Sequence, residues 1–144
     1  MSADIDSQNL IEINGFTQDF EAFLKSNKFC KKSYKVRFRK LNNTICVREG
    51  ENDFYLRYKP ERGWLDNSIV IARIGFSEER VGNGTKFLRF LVENSQKYAI
   101  DNIFIETAND ICGKFAQKYG FIRWSDGHWF TTSSLLKARL NDCP

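Results

Sequence analysis

The segment from Ile69 to Phe76 is an almost unbroken apolar run rich in β-branched residues. It leads through Glu78-Glu79-Arg80-Val81-Gly82-Asn83-Gly84-Thr85 into a stretch whose apolar positions Phe87, Leu88, Phe90, Leu91 and Val92 follow helical spacing. A strand that is apolar along its length is buried on both faces, which places it in the middle of a sheet. A helix from about Asn83 to Tyr98 then delivers the chain to a second apolar run, Asn102 to Thr107. A crossover of this kind joins parallel strands and is right-handed. The expected fold class is therefore α/β (α+β), built around a mixed sheet.

Between that strand and its helix sit Gly82 and Gly84. A helix N-terminus gathers N–H groups that have no intrahelical acceptor, at the positive end of the helix dipole, and glycine lets an anion approach them closely. The loop is suited to phosphate. A Gly-Asn-Gly turn also starts helices that bind nothing, and the residues of this loop alone leave both readings open. The Walker pattern G-x-x-x-x-G-K-[ST] is absent, as are the third glycine and acidic ribose partner of a dinucleotide fingerprint, which disfavours nucleoside triphosphatases and Rossmann dehydrogenases.

Upstream, Thr17 is placed to cap a helix carrying Phe20, Phe23 and Leu24 and ending near Asn27, with residues 1 to about 15 loosely ordered. Strands are expected at about Ser33 to Leu41, Thr44 to Arg48 and Phe54 to Tyr58, joined by Asn42-Asn43 and Gly50-Glu51-Asn52 into an antiparallel meander. Trp64, in the loop from Pro60 to Asn67, either plugs the core or faces an acceptor site, and plugging is preferred. Downstream, Asp110 to Tyr119 reads as a helix closed by Gly120, and Phe121 to Trp124 and Trp129 to Thr132 read as a hairpin around Ser125-Asp126-Gly127-His128.

With 144 residues, 42% hydrophobic content and thirteen phenylalanines, the chain suits one domain, residues 1–144, with one substantial core. It has no apolar run long enough to span a membrane and no signal-like start, so a cytoplasmic location is expected. Cys30, Cys46, Cys112 and Cys143 are scattered and His128 is the single histidine, a pattern without metal-ligand spacing. Reduced thiols are the expected state. The net charge of +4 is concentrated in Lys25, Lys28, Lys31, Lys32, Lys35, Arg37, Arg39 and Lys40, interleaved with Phe29, Tyr34, Val36 and Phe38. Such a stretch can follow a nucleic-acid backbone, but strict alternation from Tyr34 to Arg39 is also the pattern of a strand with one wet face, and that reading is preferred.

A second segment, Asn109-Asp110-Ile111-Cys112-Gly113-Lys114-Phe115-Ala116-Gln117-Lys118-Tyr119-Gly120-Phe121, follows the strand Ile103 to Glu106. Taken together, the two segments resemble the GNAT (Gcn5-related) acetyltransferases, whose motifs read [QR]-x-x-G-x-[GA] and N-x-x-A-x-x-L-Y-E-K-L-G-F. Gly82 and Gly84 match the first; Asn109, Phe115, Lys118, Gly120 and Phe121 match or approximate the second. The first motif position holds Glu79, with Arg80 displaced by one. Ala116 stands where many members carry the tyrosine that protonates the departing thiolate, and Tyr119 aligns with a packing position.

The resemblance implies a single GNAT-like domain with a splayed central strand pair and flanking helices, using acetyl-CoA as co-substrate. It implies that Ile74, Gly75 and Phe76 hold the pantetheine arm through backbone groups. The pyrophosphate would lie over Val81, Gly82, Asn83, Gly84 and Thr85, with Arg80 or Lys86 adding charge and Asn109 beside the arm. Glu106 is the expected catalytic base, with the direction of its side chain open, and Glu78 is the next candidate. The implied reaction is acetyl transfer to a primary amine on a small molecule or a protein, by a monomer or homodimer. The alternatives are an inactive binding or inhibitor protein on the same fold, suggested by Ala116 and Glu79, and an enzyme acting on an RNA-linked amine, suggested only by the basic stretch.

Overall fold

A computed structural model describes residues 2–27, 37–39, 43–49, 52–75, 82–106 and 110–142. Helix α1 (Ser2–Ser26) opens the chain, followed by strands β1 (Arg37–Arg39), β2 (Thr44–Glu49), β3 (Asn52–Tyr58) and β4 (Ser68–Gly75). Helix α2 (Asn83–Ser95) crosses to β5 (Asn102–Ile105), and α3 (Asp110–Lys118), β6 (Ile122–Arg123), β7 (Trp129–Thr132) and α4 (Ser133–Asp142) complete the order. The seven strands form one sheet in the order β1-β2-β3-β4-β5-β7-β6. Every neighbouring pair is antiparallel except β4 and β5, which are parallel, as the crossover through α2 requires.

Residues 2–15 are helical rather than loosely ordered, because α1 begins at Ser2. Ile13, Phe16, Phe20 and Leu24 recur at helical spacing and are all buried, so the stripe continues upstream of Thr17. Thr17 is therefore mid-helix rather than a cap, and its hydroxyl donates back to the Ile13 carbonyl at 2.8 Å. Two carboxylates fasten this helix to the rest of the chain. Glu12 accepts hydrogen bonds from the Tyr58 hydroxyl at 2.6 Å and from Lys59 Nζ at 2.5 Å. Asp19 accepts from Lys97 Nζ at 2.9 Å and from the Tyr98 hydroxyl. Burial, followed by the bond to Glu12, pushes the Tyr58 hydroxyl far above its ordinary pKa.

Of the strand expected from Ser33 to Leu41, residues 37–39 pair with β2, Phe38 opposite Ile45, and the remainder lies outside the described residues. Helix α4 has no counterpart among the elements read from the sequence. Leu136 and Leu140, one turn apart, are buried, and the Thr132 hydroxyl accepts the Leu135 amide at 3.2 Å at the helix start.

Buried residues of all four helices join one core with Ile45, Val47, Phe54, Leu56, Ile69, Ile71, Ile103 and Ile105 of the sheet. Its centre is aromatic. The Phe20 ring lies 5.3 Å from Phe54, and Phe54 lies 5.2 Å from Phe87. Val70 and Phe104 are fully buried yet stand outside this core, because alternation turns them to the other face. There Phe104 is covered by Trp64, Trp124 and Phe130, with ring centroids at 5.0, 5.4 and 4.8 Å. Trp64 therefore plugs a second, smaller cluster, half-buried against Phe104.

Candidate functional site

The parallel pair β4 and β5 is joined only from Ser68 opposite Asn102 to Ile71 opposite Ile105, and the Glu106 amide donates to the Ile71 carbonyl at 3.0 Å. β4 continues to Gly75, so among the described residues no strand pairs with its inner edge beyond Ile71. On its outer edge it stays paired with β3, where Arg73 lies opposite Tyr55, Ile74 opposite Phe54 and Gly75 opposite Asp53. The register shifts here, leaving Ala72 unmatched between Ile71 and Arg73. Such a bulge increases local twist and bends the strand. This stretch of inner edge at Ile74 and Gly75, beyond the described β4–β5 ladder, is the candidate gap.

Gly82 precedes α2 with φ 83° and ψ 12°, a left-handed conformation, and makes no side-chain cap. Its carbonyl accepts the Lys86 amide at 3.0 Å, which starts the helical ladder. The amides of Asn83, Gly84 and Thr85 thus belong to the first turn, where helix geometry supplies no backbone acceptor. That turn holds no acidic residue, and Lys86 is exposed beside it. Its field favours an anion.

The two glycines have different reasons. A Cβ on Gly82 would meet nothing within 4 Å, so positive φ is what requires glycine there. A Cβ on Gly84 would lie 2.9 Å from ring atoms of Phe115. Gly84 is small because α3 packs against α2 at this point, a contact that the sequence reading did not foresee. One residue on, the Thr85 hydroxyl lies 2.5 Å from the Tyr119 hydroxyl. Ala116, on α3, is fully buried.

Glu106 stands where the gap begins, and its carboxylate is held side-on by Arg57, with Nε at 2.9 Å and Nη2 at 3.3 Å. Arg57 is opposite Val70 and Glu106 is two residues beyond Phe104, so this pair belongs to the sheet face away from the helices. The hydrogen bonds to Glu106 keep the guanidinium above its ordinary pKa. Each carboxylate oxygen retains a second lone pair for another donor. Arg57 escaped the sequence reading, although its position between core-facing Leu56 and Tyr58 already put it on that second face. Next to it, Arg73 pairs with Asp53, and both guanidinium groups flank the Tyr55 ring, at 5.4 Å for Arg57 and 5.5 Å for Arg73.

The structure thus brings Ile74, Gly75, Gly82, Asn83, Gly84 and Thr85 to the two ends of one strand-to-helix connection, with Glu106 at the head of the gap. Phe76, Arg80, Val81, Asn109 and the reserve candidate Glu78 lie outside the described residues. Among the described residues, no group of three or more His, Cys, Asp or Glu could hold a metal ion, and no helix is long and apolar enough to cross a membrane.

No protein-family model matches the chain, and no curated protein matches it significantly. Among solved structures, the AtaT mutant toxin bound to the C-terminus of the antitoxin AtaR is similar over 73% of this chain and 76% of that chain, with a TM-score of 0.51 and 15% identity. The KacTA–DNA complex matches over 87% of this chain and 86% of that chain, with a TM-score of 0.47 and 17% identity. A GNAT family acetyltransferase from Elizabethkingia anophelis with acetyl-CoA bound matches over 64% of this chain and 78% of that chain, with a TM-score of 0.44 and 17% identity. At these identities the likeness is one of fold alone, and it is to the AtaT toxin that the TM-score exceeds 0.5.

Proposed function

We propose that this chain transfers an acetyl group from acetyl-CoA to a primary amine. The observation that carries this reading is the pairing of an early-ending β4–β5 ladder with a glycine-led, acid-free helix start on the same connection. The gap accepts a pantetheine arm, whose amides can hydrogen-bond to the strand edge at Ile74 and Gly75 as an added strand would, with Phe76 the next backbone partner in this reading. The pyrophosphate lies over the amides from Val81 to Thr85, with Arg80 or Lys86 supplying charge, and Asn109 stands beside the arm. The resemblance of Gly82, Gly84 and the segment from Asn109 to Phe121 to the acetyltransferase motifs supports that choice of donor.

The amine nitrogen attacks the thioester carbonyl carbon. A C–N bond forms, the C–S bond breaks, and sulfur leaves as thiolate with the bonding electron pair. Glu106 takes the proton that the nitrogen loses, directly or through water, while Arg57 fixes the carboxylate in place. With alanine at position 116, water protonates the thiolate. General acid catalysis contributes roughly 10² to 10⁴-fold where present, so turnover is expected to be slow but real.

Calorimetric titration with acetyl-CoA, followed by measurement of thiol release with primary amines, tests the proposal. Absence of binding at millimolar acetyl-CoA overturns it. Binding without thiol release favours a second reading, a non-catalytic binder on the same fold, for which the buried Ala116 is the specific argument.

A further inference from the structure

Two consecutive residues in the first turn of α2 are gripped by two residues one turn apart at the end of α3. The Phe115 ring occupies the space that a Cβ on Gly84 would need, at 2.9 Å, and the Tyr119 hydroxyl stands 2.5 Å from that of Thr85. The two rings pack edge to face at 5.1 Å, and Arg139 Nε donates to the Lys118 carbonyl at 3.0 Å, which fixes the end of α3 to α4. Among the described residues, neither hydroxyl has a second hydrogen-bond partner.

Two hydroxyls carry two protons, and the bond between them uses one. The other needs an acceptor. Tyr119 is 3% exposed, so a phenolic proton turned away from Thr85 would be buried without a partner, at the cost of an unmade hydrogen bond. Thr85 is half-buried, and its proton can be directed outward. Tyr119 is therefore the donor and Thr85 Oγ1 the acceptor, which leaves the Thr85 hydroxyl to donate elsewhere. Helix side chains tilt toward the N-terminus, so this proton lies on the same side as the amides of Asn83, Gly84 and Thr85 that have no backbone acceptor. Resting on the acetyltransferase reading, we propose that Tyr119 is a positioning residue for the diphosphate of acetyl-CoA. By donating to Thr85 it turns that hydroxyl into a fixed donor to a phosphate oxygen over the first turn of α2. A hydroxyl that accepts one hydrogen bond is a stronger donor in the next. The same bond ties Tyr119 to the diphosphate end of acetyl-CoA, so it acts on binding and not on protonation of the thiolate.

Calorimetry on the full chain with acetyl-CoA, S-acetyl-pantetheine and inorganic pyrophosphate tests this assignment, and circular dichroism establishes that each variant is folded. Thr85→Val is expected to weaken acetyl-CoA binding by about tenfold and Tyr119→Phe by about threefold, the sizes of one lost and one weakened hydrogen bond. Thr85→Ser keeps the hydroxyl and the affinity. In the Thr85→Val background Tyr119→Phe weakens binding no further, because it acts only through that hydroxyl. Thiol release puts the Tyr119→Phe effect in KM rather than kcat, and the effect vanishes with S-acetyl-pantetheine, which lacks the diphosphate. Unchanged acetyl-CoA affinity in Tyr119→Phe, additive losses in the double variant, an equal loss with S-acetyl-pantetheine, or a fall in kcat at constant KM overturns the assignment. If acetyl-CoA fails to bind, the transferase reading falls, and the pyrophosphate titration still decides this one. Pyrophosphate binding that Tyr119→Phe weakens upholds it, whereas no binding, or binding that the variant keeps in full, defeats it.

Discussion

The hydroxyls of Thr85 and Tyr119 meet at 2.5 Å, so the first turn of α2 is fastened to the end of α3 by one bond between side chains. Tyr119 is buried, and its ring also packs on Phe115 at 5.1 Å. Replacing Tyr119 by Phe keeps the ring and removes the bond. The variant is expected to lose about 1 kcal/mol of stability, read as a lower urea midpoint at unchanged slope. An unchanged midpoint means that the bond contributes nothing.

Gly84→Ala drives a methyl group into the Phe115 ring, since its Cβ would stand 2.9 Å from two ring atoms. Overpacking of this kind costs about 1 to 3 kcal/mol. In a Phe115→Leu background the same substitution should cost clearly less, because the clashing atoms are gone and the two sites are coupled. Equal losses in both backgrounds contradict the proposed packing role of Gly84.

Gly82 has φ 83° and open space around its Cβ position, so its substitutions test the backbone alone. Gly82→Ala should lower stability by about 1 kcal/mol or somewhat more, and Gly82→Asn by less, because asparagine tolerates the left-handed region. Thermal midpoints check the order, and an Ala variant as stable as Asn refutes it.

Arg57 and Glu106 form a half-buried pair, with side chains 33% and 26% exposed. A double-mutant cycle with Arg57→Gln and Glu106→Gln is expected to return a coupling of about 1 kcal/mol, at the upper end for partly exposed pairs. Thiol release should separate the two residues: Glu106→Gln should lower kcat by about 10² or more if it acts as base, and Arg57→Gln by less. A Glu106→Gln variant with full kcat removes Glu106 from the mechanism.

Asp19 supplies a pH test. Hydrogen bonds from Tyr98 and then Lys97 hold its carboxyl below the ordinary value of 3.8. A folded-state value below the unfolded one means that the unfolded chain binds more protons, so this contribution is complete above the unfolded pKa and lost as pH falls through the folded one. Stability of the native chain should drop below about pH 4 more steeply than that of Asp19→Asn, measured by urea unfolding at pH 7, 4 and 3. Parallel pH profiles for the two proteins refute the linkage.

The crossover from Ser68 to Ile105 was legible in the sequence because its signals are strong and agree: continuous apolar strands on either side of a helix with five buried positions at helical spacing. The meander was legible for the same reason, since Phe54, Leu56 and Tyr58 alternate with polar residues and are all buried. The start of α1 was hidden by its polar first turns, and what fixes the helix is tertiary, Glu12 meeting Tyr58 and Lys59 on a distant strand. Helix α4 was hidden by its shortness, ten residues in which Leu136 and Leu140 are buried but the adjacent Leu135 is exposed and blurs the helical stripe. At the site, the helix start at Gly82 was readable. The clash between Gly84 and Phe115 and the side-on grip of Arg57 on Glu106 depend on contacts across 31 and 49 positions of chain, which no local pattern encodes.

Among the described residues, the four α-helices all pack on a single side of the sheet, which divides labour between its two surfaces. The helix-covered side carries the main core, while the other is covered at Phe104 only by the smaller cluster of Trp64, Trp124 and Phe130. Substitutions on that second face therefore disturb a shallow cluster of four rings rather than the aromatic centre around Phe20, Phe54 and Phe87.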